Sequence, residues 1–99
     1  TVQTLTGDGS TTLEATLTES TTMISATAAD APVTLADGAD SQIKILINNS
    51  ANADNDVTIT PANLRGGTTI TLNAPGESVQ CIFKNSNWNV IGGHDFTVA

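Results

Sequence analysis

Apolar and polar residues alternate along much of the chain, and turn-forming residues interrupt the alternation at short intervals. The clearest case is residues 56–91, where the segments 56–60, 68–73, 78–84 and 87–91 each alternate. Successive side chains of a β-strand point to opposite faces of its sheet, so each segment is predicted to be a half-buried strand. Their Val, Ile and Thr residues fit a pleated surface.

The first half of the chain predicts further strands, separated by turns that contain Gly, Asp and Ser. These strands are predicted at 1–6, 13–17, 21–28, 32–35 and 43–47. In the last of them Ile43, Ile45 and Ile47 alternate with Lys44 and Leu46. The isoleucines are therefore predicted to share a covered face, and Leu46 indicates that the second face is also partly covered.

Strands that recur every 8–12 residues are typical of all-β domains. We predict one domain over 1–99, an antiparallel β-sandwich, a barrel-like fold or a β-prism. Within it, 1–33 holds N-terminal strands, 34–91 the core strands and 92–99 a C-terminal tail. Asp37-Gly38 is the strongest tight-turn signal. Gly92-Gly93 predicts a hinge ahead of a last strand.

Charge excludes two classes of partner. The net charge is −7, and the three basic residues, Lys44, Arg65 and Lys84, lie far apart in the sequence. Nucleic-acid binding draws on clustered Lys and Arg, so we expect neither nucleic-acid nor anionic-membrane binding. No apolar run approaches the roughly 20 residues that a membrane helix needs.

Composition favours self-association. Charged residues make up 13% of the chain and aromatic residues 3%, so the surface is polar but easily desolvated and the core has few large side chains. A domain of this size buries only roughly 60–65% of its unfolded surface. We therefore expect a homo-oligomer whose copies complete the burial of apolar surface.

Two residues of the core strands carry individual predictions. Cys81 alternates with Val79 and Phe83 and is predicted to be a small buried hydrophobe rather than a nucleophile. Trp88 alternates with Val90 and is predicted to anchor the core, with its indole N–H bonded to a loop carbonyl. The alternative for Trp88 is an exposed binding hot spot.

Catalytic and metal-binding patterns are weak. Asn52, Asp54 and Asp56 alternate like calcium ligands, but the Gly and Glu that an EF-hand requires are absent at their positions, which favours a solvated loop. His94-Asp95 has no Gly-x-Ser-x-Gly nucleophile to serve. Carboxylates for glycoside hydrolysis are present, but few aromatic residues are available to stack a sugar. We expect no enzyme, metal or cofactor.

Four motifs carry a resemblance. They are Asp56-Val-Thr-Ile-Thr-Pro-Ala-Asn-Leu, Gly66-Gly-Thr-Thr-Ile-Thr-Leu, Pro75-Gly-Glu-Ser-Val and Asn87-Trp-Asn-Val-Ile-Gly-Gly. In this order, after the Ala36-Asp37-Gly38 turn, they resemble small virion proteins of tailed bacteriophages, especially of phages that infect cyanobacteria. The resemblance covers about 34–99, whereas the preceding residues match only in composition. Related patterns occur in tail-fibre and head-fibre modules.

The short chain has no collagen-like or coiled-coil shaft and is more similar to a capsid decoration (cement) protein than to a fibre. The resemblance implies a homotrimer on the capsid exterior of a virion, which binds the major capsid protein and clamps neighbouring subunits. The terminal segments 1–6 and 96–98 are expected to add strands to neighbours. Val2, Leu5, Phe96 and Val98 are the candidate interface residues.

Two other functions give different expectations. A receptor-binding or carbohydrate-binding module of a head or tail fibre would expose Trp88 or Phe96. A polysaccharide depolymerase would have a cleft with convergent carboxylates.

Overall fold

The computed structural model describes residues 2–99, so Thr1 of the predicted first strand lies outside the described residues. These residues form ten strands and no helix. In chain order the strands are β1 (Val2–Gly7), β2 (Leu13–Ala15), β3 (Thr21–Ala26), β4 (Ala31–Leu35), β5 (Ile43–Asn48), β6 (Val57–Pro61), β7 (Ile70–Leu72), β8 (Ser78–Lys84), β9 (Asn87–His94) and β10 (Thr97–Val98). The all-β prediction is confirmed. Within the described residues no helix has the length and hydropathy of a membrane span.

The strands build two five-stranded sheets, and neither closes into a barrel. Sheet A has the order β1-β3-β5-β8-β9, and sheet B has the order β10-β7-β6-β4-β2. The chain alternates between the sheets over its first six strands, so β1, β3 and β5 are parallel, as are β2, β4 and β6. Strands β7 to β10 pair antiparallel.

The predicted antiparallel pairing is therefore right for every pair that involves β7 to β10 and wrong for the pairs within the first six strands, because both sheets are mixed. A parallel pair needs a long crossover, and here each crossover runs through the opposite sheet. The tight turn predicted at Asp37-Gly38 is wrong, because the turn lies at Asp40-Ser41. Asp37-Gly38 belongs to the connection 36–42 between β4 of sheet B and β5 of sheet A.

The inward faces of the two sheets meet in one hydrophobic core. Its buried residues are Ala15, Ile24, Ala26, Ala31, Val33, Leu35, Leu46, Val57, Ile59, Ile70, Leu72, Val79, Cys81, Phe83 and Trp88. Trp88 and Cys81 are both fully buried, as predicted. Every buried side-chain N or O atom in the described residues has a hydrogen-bond partner. One chain thus closes the layer between its sheets, and the expectation that copies complete this layer is wrong.

Strand β5 presents the opposite face to the one predicted. Lys44, Leu46 and Asn48 point into the molecule, and the isoleucines between them point outward. The inward polar groups are satisfied by backbone oxygens: Lys44 Nζ donates to Thr16 O at 2.7 Å, and Asn48 Nδ2 donates to Leu72 O at 2.9 Å. Hydropathy alone does not show that these carbonyls lie within reach.

The C-terminal residues belong to both sheets. Strand β9 continues through Gly92 and Gly93 to His94, so the predicted hinge lies inside a strand. Strand β10 then crosses to sheet B, where Val98 pairs with Ile70. A last strand after Gly93 is confirmed. Strands β1 and β2 are the edge strands at one end of the molecule. Strands β9 and β10 are the edge strands at the other end.

Candidate protein-interaction surface

The outward side of sheet A carries a set of apolar side chains among polar ones. Alternation along each strand places every second side chain on this face. Its apolar members are Val2, Met23, Ile43, Ile45, Ile47, Ile82 and Ile91. Val2, Ile43 and Ile91 are 56%, 43% and 53% exposed. This set, the apolar face, is separate from the core because the core residues of the same strands point to the other side.

The outward side chains of sheet B form a contrasting threonine face. Its members are Glu14, Pro32, Thr34, Thr58, Thr60, Thr71 and Thr97. The register aligns them in rows, with Thr34 opposite Thr60 and Thr71 between Thr58 and Thr97. A hydroxyl-rich face is readily hydrated, so the two outer surfaces of the molecule differ in chemistry.

Strand register places apolar residues of the apolar face next to the isoleucines of β5. Strand β5 is the middle strand of sheet A, and Ile43 lies opposite Ile82 of β8. On the other flank, Ile47 lies opposite Met23 of β3. Directly opposite side chains on one face are in contact. Ile43 and Ile47 therefore each have one apolar neighbour, whereas Ile45 lies between Thr21 and Gln80.

Carboxylates are excluded from this face. The chain has ten Asp and Glu residues; Glu14 lies in β2 of sheet B, and all the others lie in connections. Among residues 2–99, the ionisable side chains on the outward side of sheet A are Lys84, which pairs with Asp40 at 3.0 Å, and His94, which lies 3.4 Å from Asp95. The centre of the apolar face therefore carries no charge, although the protein has a net charge of −7.

The predicted interface residues lie at two opposite ends of the molecule. Val2 and Leu5 are in edge strand β1, with Val2 exposed and Leu5 half-buried against the core. Phe96 and Val98 are half-buried at the other end, beside and within edge strand β10. The structure does not bring the four together, and their role stays a prediction. The isoleucines of β5 were missed as surface residues, although the Ile-Leu-Ile run signals two apolar faces.

Lys44 holds a connection against the core. Its Nζ is fully buried and donates to the backbone oxygens of Thr16 at 2.7 Å and Glu19 at 2.9 Å. Burial lowers the pKa of Lys44, and the Glu19 carboxylate opposes that change. The hydroxyl of Thr16 donates to Glu19 and, ahead of Thr18 and Lys44, lowers the pKa of Glu19. These bonds fix the connection between β2 and β3, which is a structural role.

The remaining chemical candidates are dispersed. Burial raises the pKa of the Cys81 thiol to about 11, so it is protonated at neutral pH. In the loop that carries Asn52, Asp54 and Asp56, the Asn52 side chain accepts from the Asp54 amide at 2.9 Å, which makes it part of a turn. Burial, then Asp30 and Glu77, raise the pKa of Asp56. No group of three or more His, Cys, Asp or Glu residues suited to a metal ion occurs among residues 2–99.

Two open grooves lie beside sheet B. The larger, about 400 Å³, is lined by the end of β6 and the following loop, including Pro61, Asn63 and Leu64. The smaller, about 230 Å³, is lined by residues 14–17 and Ala36. The larger has no carboxylate in its lining and the smaller has one, Glu14, whereas glycoside hydrolysis uses two.

Comparison of the chain with known protein families and with curated proteins gives no match. Functional evidence therefore comes from the motifs in 34–99 and from the two outer faces. Of these, the exposed side chains of the apolar face, Val2, Ile43 and Ile91, are the feature that bears on protein interaction.

Proposed function

We propose that the protein is a non-catalytic virion protein that binds the outside of a tailed-phage head and stabilises neighbouring major capsid subunits. The motif resemblance over 34–99 supports the phage setting. The observation that carries the proposal is the apolar face of sheet A beside a core that is already closed. Side chains that are not needed for folding but remain apolar and exposed are typical of protein-binding surfaces.

The mechanism is additive. A homotrimer presents each contact three times, so individually weak contacts with the shell become strong by avidity. Binding to the assembled shell but not to dissociated subunits stabilises the shell by mass action. Nine of the ten Asp and Glu residues lie in connections around the sheets, and the repulsion between their charges keeps decorated particles apart.

The carbohydrate-binding alternative has less support. It requires an aromatic ring that a sugar can reach, but Trp88 is fully buried and Phe96 is half-buried against the core. The threonine face and the groove beside Asn63 offer hydroxyl and amide groups without a stacking platform. Protein binding therefore accounts for more of the surface.

The test uses phage heads that lack the protein. Purified chain is mixed with such heads, which are then pelleted through sucrose, and bound copies per head are measured by quantitative mass spectrometry. We expect saturable binding and DNA release at a higher temperature than from bare heads. Absence of binding at saturating protein, or gold label found on tails rather than heads of intact virions, would contradict the proposal.

A further inference from the structure

We infer that residues 96–99, the exchange segment, fill a slot on sheet B that also accepts the same segment of a second copy of this chain. The slot is the edge of β7 together with Gly67, Thr68 and Thr69. This inference specifies how the copies of the proposed homotrimer join, and it rests on the proposed function only for that setting.

The slot binds the exchange segment through its backbone. Strand β10 extends sheet B by pairing antiparallel with β7, where Val98 lies opposite Ile70. Beyond this pair, the oxygen of Ala99 accepts from the amides of Thr68 at 2.7 Å and Thr69 at 3.1 Å. The Ala99 amide donates to Thr69 O at 3.0 Å. Backbone pairing of this kind adds an extended segment to a sheet edge, whichever chain supplies the segment.

Two glycines make room for the side chains of the exchange segment. A Cβ at Gly67 would lie 2.7 Å from Val98 Cγ1 and 2.9 Å from Ala99 O. A Cβ at Gly93 would lie 2.9 Å from Phe96 Cδ2. Phe96 and Val98 both pack against the core from these positions. The slot is therefore shaped for the sequence that fills it, and a second copy carries that same sequence.

The connection that brings the exchange segment to sheet B is short and strained. Strand β9 ends at His94 in sheet A, and β10 begins at Thr97 in sheet B. Between them Asp95 has a φ of 53°, in the left-handed region that is costly for residues other than glycine. Extended backbone at Asp95 relieves this strain, and the segment then leaves its own sheet B. Short connections under strain favour exchange between copies.

Exchange breaks few contacts. Strand β10 has two residues and lies at the edge of sheet B, so it leaves without separating the other strands of that sheet. The same hydrogen bonds and apolar contacts form again in the second copy, which makes such swapping a low-cost route to oligomers. The segment and the slot are different surfaces, so the contact is heterologous, and three copies that exchange in one direction close into a ring.

Three threonines on the outward side of sheet B report which chain supplies the segment. Thr97 of β10 lies opposite Thr71 of β7. Chains with Thr71→Cys alone are mixed with chains with Thr97→Cys alone, so exchange places the two new thiols opposite each other in different chains. The matched control is a mixture of Thr71→Cys and Thr58→Cys chains, because Thr58 is the neighbour of Thr71 on β6 and lies outside the exchange segment. The native Cys81 thiol is fully buried.

The mixtures are incubated at millimolar protein in a glutathione redox buffer, and isotope-labelled chains allow mass spectrometry to identify each interchain disulfide. We expect the 71–97 disulfide to be at least about tenfold more abundant than the 58–71 disulfide, because exchange gives its thiols a high effective concentration. Asp95→Val should raise its abundance further, since β-branched residues rarely adopt positive φ. Asp95→Gly should lower it, since glycine adopts positive φ without strain. Circular dichroism shows whether each variant is folded.

The outcomes separate this inference from the proposed function. A 71–97 disulfide no more abundant than the 58–71 disulfide, or one that neither Asp95 substitution changes, overturns the inference whether or not heads are bound. An abundant 71–97 disulfide that Asp95→Val raises or Asp95→Gly lowers supports it, even if the protein fails to bind heads.

Discussion

The indole Nε1 of Trp88 donates a hydrogen bond to the backbone oxygen of Ala36 at 2.9 Å, across the two sheets. Trp88 belongs to β9 of sheet A, and Ala36 follows the last residue of β4 in sheet B. The ring of Phe83 meets the indole edge-to-face, with centroids 5.2 Å apart. One side chain thus fills the core at this end and bonds to the chain where it leaves sheet B.

We expect Trp88→Phe to lower the free energy of unfolding by about 2–4 kcal/mol, because core volume is lost and the Ala36 carbonyl loses its partner. Urea denaturation followed by circular dichroism measures this difference. Ile91→Ala, at an exposed position of the same strand, is the control and should change it by less than about 1 kcal/mol. Similar losses for the two variants would show that the indole is not a core anchor.

Gly38 is predicted to tolerate no side chain. A Cβ there would lie 2.9 Å from Cη2 and Cζ2 of the buried Trp88 ring and 2.7 Å from Gln42 Oε1. Gly38→Ala should therefore cost about 1–3 kcal/mol through overpacking. Gly92→Ala is the matched control, because a Cβ at Gly92 meets no atom within 4 Å. Equal melting temperatures for the two variants would contradict the packing described around the indole.

The raised pKa of the Cys81 thiol predicts a loss of stability at alkaline pH. Its pKa rises from 9.0 in the unfolded chain to about 11 in the folded protein, so the folded state binds more protons between these values. Its contribution is complete below pH 9 and is lost as the pH rises towards 11, by up to about 2 kcal/mol. Urea titrations at several pH values measure this loss.

Cys81→Ala removes this pH dependence and reveals an opposite one. Burial lowers the pKa of Lys44 below its ordinary value of 10.5, so at pH values between the lowered pKa and 10.5 the unfolded state binds more protons and stability rises with pH. The variant should therefore show a flat or rising profile where the wild type falls. A fall of the same size in both proteins would rule out the thiol as its cause.

The hydrogen bonds of Lys44 predict a local effect on the connection between β2 and β3. Lys44→Met removes the two bonds to Thr16 O and Glu19 O but also removes a buried charge, so global stability should change by only about 1 kcal/mol. The connection between β2 and β3 should open more often, and amide exchange at Thr16 should accelerate by about tenfold or more. Lys84→Met, which breaks an exposed pair with Asp40, should leave exchange at Thr16 unchanged.

Local patterns were the part of the fold that the sequence could predict. Strands 78–84 and 87–91 alternate around Asn85-Ser86, and both turn residues take positive φ angles, 55° and 64°, as a two-residue hairpin requires. The burial of Cys81 and Trp88 could be predicted from that alternation, because the short turn fixes the register of the two antiparallel strands. Here a strand's own pattern determines which face is buried.

Pairing between distant strands could not be predicted in this way. Alternation in β1, β3 and β5 is the same whether their neighbours are parallel or antiparallel, so the crossing of the chain between sheets left no local signal. The face of β5 was assigned from its isoleucines. This assignment was wrong because Lys44 and Asn48 donate to backbone oxygens inside the molecule. The acceptor of Lys44 lies in the connection after β2, and that of Asn48 lies in β7.

The alternation of the first six strands between the sheets has a kinetic consequence. Strand neighbours such as β1 and β3 are separated by the whole of β2 and its connections, so the chain must close large loops before these contacts form, and such folding is slow. The β8–β9 hairpin closes over two residues and is therefore expected to nucleate folding, with the earlier strands added layer by layer. Substitutions in that hairpin should slow refolding, whereas those in β1 should mainly accelerate unfolding, and stopped-flow measurements distinguish the two.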